Sequence, residues 1–173
     1  MQIIDDDDIS CELPSWTPDA NSNLVECFQQ IVKQAMLSSE IARSFLTVKA
    51  REKSLIDKVK LIEHFDTRLR TWLNDLPTIF KLDVPTKAEL LPRGIRIEHL
   101  LYLHLSYYGN MAAIHSVLGY PWNVTSDPEI DSDNSAIKEQ VASSDIALTE
   151  ASKNIILVTR SISVDASTPT WYA

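Results

Sequence analysis

Residues 98–122 read Glu-His-Leu-Leu-Tyr-Leu-His-Leu-Ser-Tyr-Tyr-Gly-Asn-Met-Ala-Ala-Ile-His-Ser-Val-Leu-Gly-Tyr-Pro-Trp, and this stretch decides the fold. A surface helix needs only one apolar stripe, so a helix that is apolar nearly all round lies inside a larger body. His, Ser, Asn and Gly interrupt the stretch too often for a membrane span. It therefore predicts a buried central helix over about residues 97–118, ended by Gly119 and Pro121. Its apolar positions are Leu100, Leu101, Leu103, Leu105, Met111, Ile114, Val117 and Leu118.

Three further stretches have helical periodicity. The first helix is expected to begin at Asn23, with Asn23 as N-cap and Glu26 completing a capping box. The second is expected to begin near Ser54 and to end at Pro77, and the last to cover about residues 135–161. The expected core face of the first helix is Leu24, Phe28, Ile31, Ala35, Ala42 and Phe45, and that of the last is Ile137, Val141, Leu148, Ala151, Ile155, Val158 and Ile162. The connection over residues 77–97 is expected to wrap the surface and to bury Ile79, Phe80 and Leu82.

Together these stretches predict an all-α domain, a bundle of about four long helices joined by long irregular connections. We expect an irregular acidic segment over residues 1–22, a helical domain over 23–162, and a truncated tail over 163–173. The chain has 173 residues, enough to bury a substantial core in one domain. Its three glycines argue against hairpins, barrels and phosphate-cradling loops.

The charge of the chain argues against contact with nucleic acid. The formal net charge is −8, and acidic residues interrupt the richest basic patch, over residues 49–60. A nucleic-acid surface needs concentrated positive charge. The two cysteines, Cys11 and Cys27, are too few for a disulfide framework and are expected to be reduced thiols in an intracellular protein. The N-terminus lacks the charge and apolar length of a signal peptide.

The histidines do not have metal-ligand spacing. His99 and His104 point about 140° apart on a helix, and His104 and His115 lie about 16 Å apart along its axis. We expect them to be core histidines that are hydrogen-bonded and partly buried. No cofactor-binding motif and no nucleophile motif is found, so the sequence gives no catalytic residue, and we expect no enzyme.

Aromatic residues gather along the central helix and its end: Tyr102, Tyr107, Tyr108, Tyr120 and Trp122. Their first interpretation is packing, with each polar tip finding a partner. The alternative is one wall of a small-molecule pocket between helices. The candidate residues for packing or for such a pocket are Tyr107, Tyr108, His104, His115 and Trp122.

Three segments carry a family resemblance. Residues 4–14 form an acidic segment ending in Leu-Pro, residues 69–77 form a Leu-x-x-Trp-x-x-x-Leu-Pro pattern, and residues 101–122 contain a long helix with a Leu-His-Leu-x-Tyr core. In this order they resemble the regulatory, or middle homology, domain of fungal zinc binuclear-cluster transcription factors. Many members continue the His at the helix end with Arg-Pro. His115-Ser116 departs from that form, which suggests a subgroup.

The resemblance implies an all-helical regulatory domain in a nuclear transcription factor that controls transcription by RNA polymerase II. Members of the family bind zinc and DNA through a separate six-cysteine cluster, to which neither Cys11 nor Cys27 corresponds. The chain is therefore expected to be a fragment, a truncated gene product, or a member without its DNA-binding module. Its partners would be other domains of the factor or another protein, and its effector would be a small molecule.

Two other functions remain open at this point. The narrow apolar stripe from Ile137 to Ile162 would suit a scaffold that dimerises by helix pairing, which makes a homodimer a candidate assembly. The Tyr and His residues would instead suit a helical ligand carrier or enzyme. The sequence gives no reason to expect a membrane partner.

Overall fold

The structure is a computed structural model, which describes residue 12 and residues 21–81, 91–119, 135–160 and 162. The described part of the chain is helical and contains no β-strand, which confirms the predicted all-α fold. Its elements are α1 (Ser22–Phe45), α2 (Val48–Arg51), α3 (Leu55–Asp75), a 3₁₀ turn (Thr78–Phe80), α4 (Ile97–Gly119) and α5 (Ser135–Thr159).

Helix α4 is the centre of the bundle. It packs most extensively against α5, and it also contacts α1 and α3. Because neighbours lie on three sides, its apolar residues are buried nearly all round, as the sequence predicts. The buried side chains of α4 are Leu100, Leu101, Leu103, His104, Tyr107, Met111, Ile114, His115 and Leu118.

The apolar stripe of α5 is covered within the chain. Ile137, Ala151 and Val158 are each at most 5% exposed, and α5 lies along α4. Pairing of this stripe with another copy was one of the alternatives that the sequence left open. Because α4 covers these residues, the stripe packs within the chain, and a homodimer stays a prediction. Residues 163–173 lie outside the described part of the chain.

The N-cap of α1 is Asn21, so the expected cap at Asn23 is wrong. The Asn21 side-chain oxygen accepts hydrogen bonds from the backbone nitrogens of Asn23 (3.1 Å) and Leu24 (3.4 Å). Its Nδ2 donates to the carbonyl of Arg93 at 2.6 Å. Asn21 and Asn23 are equally suited to capping by residue type. The bond to Arg93, in the connection before α4, distinguishes Asn21 from Asn23.

The buried face of α1 also differs from the prediction. The buried residues are Cys27, Gln34, Leu37 and Ile41. Leu24 and Phe28, expected in the core, are 43% and 49% exposed, whereas Ile31 and Phe45 do pack against the core. The difference arises because Gln34, which is fully buried, interrupts the apolar pattern of the buried face. The face that carries Leu24 and Phe28 therefore has the more regular apolar pattern, although it is exposed.

Helix α3 follows the predicted pattern more closely. Ser54 caps it by accepting from the Asp57 nitrogen at 3.2 Å, and the helix ends before Pro77. Phe80 is fully buried as expected, but Ile79 is 40% exposed because the 3₁₀ turn directs neighbouring side chains to different sides. Leu82 lies outside the described residues, and helix α2 was not predicted.

Candidate functional site

His104 joins the central helix to the turn after α3. It is 5% exposed, and its Nε2 donates to the carbonyl of Phe80 at 2.9 Å. Burial lowers the pKa of His104, and the bond to Phe80 offsets this only in part. The ring is therefore neutral at neutral pH, as the prediction of a hydrogen-bonded core histidine requires.

His115 connects three helices through its two ring nitrogens. Its Nε2 lies 3.0 Å from Oδ1 of Asp66 on α3, and its Nδ1 lies 3.1 Å from Oγ of Ser144 on α5. His115 is 2% exposed and Ser144 is fully buried. We call this set, Asp66, His115 and Ser144, the His115 cross-link.

The partners of His115 indicate the hydrogen-bonding role of each ring nitrogen. A carboxylate only accepts hydrogen bonds, so Nε2 carries a proton and donates to Asp66. In the neutral ring Nδ1 then accepts from the Ser144 hydroxyl, and both nitrogens are satisfied. Burial by itself would raise the pKa of Asp66, but hydrogen bonds from His115 and from Arg70 outweigh burial and hold that pKa below its usual value.

Asp66, His115 and Ser144 are the residue types of a hydrolase triad, but their setting is different. A nucleophilic serine must reach its substrate, and Ser144 has no exposed surface. The three groups bond to one another across α3, α4 and α5, where they satisfy buried polar atoms. Among the described residues, no group of three or more His, Cys, Asp or Glu side chains is placed to hold a metal ion.

A cavity of about 170 Å³ lies between the same three helices. Its apolar lining comes from each of them: Leu73 on α3, Met111 on α4, and Ala147 and Ala151 on α5. Ala147 and Ala151 are one helical turn apart, and their small side chains leave room between α5 and α4. The cavity is partly open to solvent.

Five polar residues complete the cavity lining: Arg70, Tyr107, Tyr108, Glu150 and Asn154. The rings of Tyr107 and Tyr108 meet edge to face at 5.0 Å, and Tyr107 also stacks on Trp72 at 6.2 Å. Burial raises the pKa of both tyrosines, so their hydroxyls are neutral and able to donate. Arg70 Nε donates to Oδ2 of Asp66 at 2.7 Å, which joins the cavity to the His115 cross-link.

The predicted candidates are divided between these two features. Tyr107 and Tyr108 line the cavity, whereas His104 and His115 bond elsewhere in the core. Trp122 and Tyr120 lie outside the described residues, and Tyr102 is 47% exposed. A binding role for the tyrosines stays a prediction.

Sequence reasoning missed the polar residues that other helices bring to the cavity. Glu150 and Asn154 are four residues apart beside Ala147 and Ala151, and this pattern of small and polar positions on α5 could have indicated a gap in packing. Arg70 gives no such signal, because a charged residue on a helix surface is common. Only the fold places it against Tyr107.

The sequence is similar to that of fungal transcription factors. One relative is an ABC-transporter-regulating transcription factor of Aspergillus oryzae, 29% identical over 122 residues. Another protein of that name, from Aspergillus fumigatus, is 28% identical over 122 residues. These relatives confirm the resemblance that the motifs indicate, and they support a role in transcription regulation.

The similarity covers 65% of this chain but only 13% of either relative, so the chain spans a small part of their length. No family model and no solved structure matches the chain. Within the described residues, no helix has the length and apolar character needed to cross a membrane.

Proposed function

We propose that residues 23–162 form the regulatory domain of a fungal zinc binuclear-cluster transcription factor. The similarity to two transcription factors carries this proposal, and the order of the three sequence motifs supports it. The domain acts in the nucleus on transcription by RNA polymerase II. It is not catalytic, and it controls the output of attached or partner domains.

DNA contact in this proposal belongs to a different module. The chain has 16 basic against 24 acidic residues and a net charge of −8. Such a surface repels the phosphate backbone, since affinity for DNA depends on basic side chains that displace counterions. The regulatory role is therefore assigned to protein contacts or to an effector, and not to reading a DNA sequence.

A binding measurement tests this division of roles. The purified chain is titrated with a pool of random duplex DNA at several salt concentrations, and bound sequences are selected and identified. We expect no enriched sequence and no binding that survives physiological salt. Salt-resistant binding of one defined site would contradict the proposal.

A reporter assay tests the regulatory role itself. The chain is fused to a heterologous DNA-binding domain in a fungal host that carries a matching reporter gene. Transcription should differ several-fold from that given by the DNA-binding domain alone. Equal transcription at equal protein abundance would argue against a regulatory domain.

A protein-interaction module is the alternative function, and one observation favours it. Leu24 and Phe28 lie one turn apart on α1 and are 43% and 49% exposed. Adjacent exposed apolar side chains of this kind are typical of contact surfaces. Sedimentation of the purified chain at micromolar concentration tests for self-association, which this alternative allows. A monomer would count against a homodimer.

A further inference from the structure

The cavity between α3, α4 and α5 carries charges of both signs. Arg70 enters it from α3 and Glu150 from α5. The pKa of Arg70 is raised mainly by its bond to Asp66, and the charge of Glu150 adds to this, so the two charges interact across the cavity. Within the described residues Arg70 forms an ion pair with Asp66 and not with Glu150, and the terminal nitrogens of Arg70 make no hydrogen bond.

The cavity also holds an unpartnered hydroxyl. Tyr107 is only 5% exposed, and no hydrogen bond within the described residues engages its hydroxyl or the Tyr108 hydroxyl. Neither hydroxyl oxygen is among the buried atoms that lack a partner, so both are accessible to solvent or to an occupant of the cavity. An occupant of the cavity with polar atoms would supply a hydrogen-bond partner, in addition to meeting the two charges.

The size of the cavity limits its occupant. Its volume is about 170 Å³, close to the ~150 Å³ of a cavity that admits benzene. Sites for drug-sized ligands begin at about 300 Å³. Leu73, Met111 and Ala147 give the interior an apolar surface. A small molecule with one compact apolar group and charged ends fits this lining.

We propose that this cavity binds a small zwitterion of the free amino-acid class. Its carboxylate would bond to the terminal nitrogens of Arg70, its ammonium would face Glu150, and its side chain would lie against Leu73 and Met111. The inference stands on the cavity alone and does not require the proposed role in transcription. Since the cavity is lined by three helices, an occupant stabilises their packing against one another.

Calorimetry tests the proposal with matched ligands. The intact chain is titrated with each of the free amino acids at millimolar concentration. We expect at least one to bind at a 1:1 ratio. Its methyl ester, which lacks the negative charge, and its N-acetyl derivative, which lacks the positive charge, should each bind at least about tenfold more weakly. The proposal is overturned if no amino acid binds, or if both derivatives bind as well as the parent.

A pair of variants assigns binding to the cavity. Glu150→Gln removes the charge that faces the ammonium and should weaken binding about tenfold. Asp145→Asn removes an exposed carboxylate from the same helix at a position that does not line the cavity. It should leave affinity unchanged. Equal weakening in both variants would show an effect of net charge alone and would refute the site.

Discussion

His104 makes the stability of the bundle depend on pH. The pKa of His104 in the folded chain is lowered from the ordinary value of 6.5. As pH falls below 6.5, His104 therefore takes up a proton in the unfolded chain before it does so in the folded chain, which favours unfolding. We expect the free energy of unfolding to fall as pH decreases from about 6.5 to about 5, above the range in which carboxyl groups with pKa values near 4 titrate. Urea unfolding at a series of pH values measures this.

Two variants assign that pH dependence. His104→Gln retains a donor for the Phe80 carbonyl but takes up no proton, so the decrease in stability between about pH 6.5 and 5 should become smaller. His64→Gln, at an exposed position, should leave the decrease intact. An unchanged decrease in the His104 variant would assign the effect to other groups.

Gln34 is a second residue that determines stability. It is fully buried, and among the described residues neither its amide nitrogen nor its amide oxygen has a hydrogen-bond partner. Each such group costs about 1–3 kcal/mol. The similarly shaped Gln34→Met should therefore raise the free energy of unfolding by about 1 kcal/mol. Urea unfolding at neutral pH measures the change.

The control for this variant is Gln30→Met on the same helix. Gln30 is half-buried, so its stability should change by no more than about 0.5 kcal/mol. A loss of stability in Gln34→Met would show that the buried amide is satisfied. The sequence could not indicate Gln34, because a glutamine in a helical pattern is ordinarily read as facing solvent.

At the scale of elements, a turn near Gly94 holds the start of α1. Gly94 has φ of +87°, and a Cβ there would lie 2.2 Å from Nδ2 of Asn21, the N-cap of α1. Gly94→Ala should lower the free energy of unfolding by about 1–3 kcal/mol, through backbone strain and displacement of the cap. Thermal and urea unfolding measure the loss.

Gly109 provides the opposite case within α4. A Cβ at Gly109 meets no atom of the described residues within 4 Å, so Gly109→Ala should stabilise the helix by about 0.5–1 kcal/mol. Equal effects at the two glycines would contradict this account of the turn. The sequence places Gly94 in the connection and Gly109 in the central helix, but only the structure shows the positive φ of Gly94 and its contact with Asn21.

The His115 cross-link should couple helices more strongly than an exposed ion pair does. A double-mutant cycle with Asp66→Asn and His115→Gln should give a coupling energy of about 1–3 kcal/mol, because both groups bond in a largely buried setting. The pair Arg68–Glu40 joins α3 to α1 with its side chains 39% and 38% exposed. Its cycle should give at most about 1 kcal/mol. Equal couplings would contradict the assigned role of burial.

The sequence predicted the long helices well because their apolar periods are long and their ends carry strong signals. Ser54, Pro77 and Gly119 mark boundaries that the structure confirms to within two residues. It failed for the buried face of α1, where packing against α4 overrides the more regular apolar stripe of Leu24 and Phe28. For α5 the predicted stripe is buried, but periodicity does not show which helix covers a face, and only the structure places α4 there.

At the scale of the whole molecule, α4 brings together groups that the sequence keeps apart. Asp66, His115 and Ser144 come from three helices, as do the charges and hydroxyls of the cavity. Sequence patterns indicated Tyr107, Tyr108 and His115 individually. The sequence patterns could not indicate which residues these three contact, because no local pattern relates residues on different helices.

The central functional claim is that the folded bundle regulates transcription. An acidic chain fused to a DNA-binding domain could act through charge alone, so the fold must be tested separately. Ile114 is fully buried on α4, and Ile114→Asp disrupts the core, whereas Ser143→Asp adds the same charge at an exposed site on α5. The two variants carry equal net charge.

The decisive measurement is reporter transcription from fusions of the original chain and of these two variants at equal protein abundance. We predict that Ser143→Asp regulates the reporter as the original chain does, and that Ile114→Asp, shown by circular dichroism to have lost its helices, does not. Full regulation by the unfolded Ile114→Asp fusion would contradict the claim, because the effect would then come from acidic composition and not from the helical bundle.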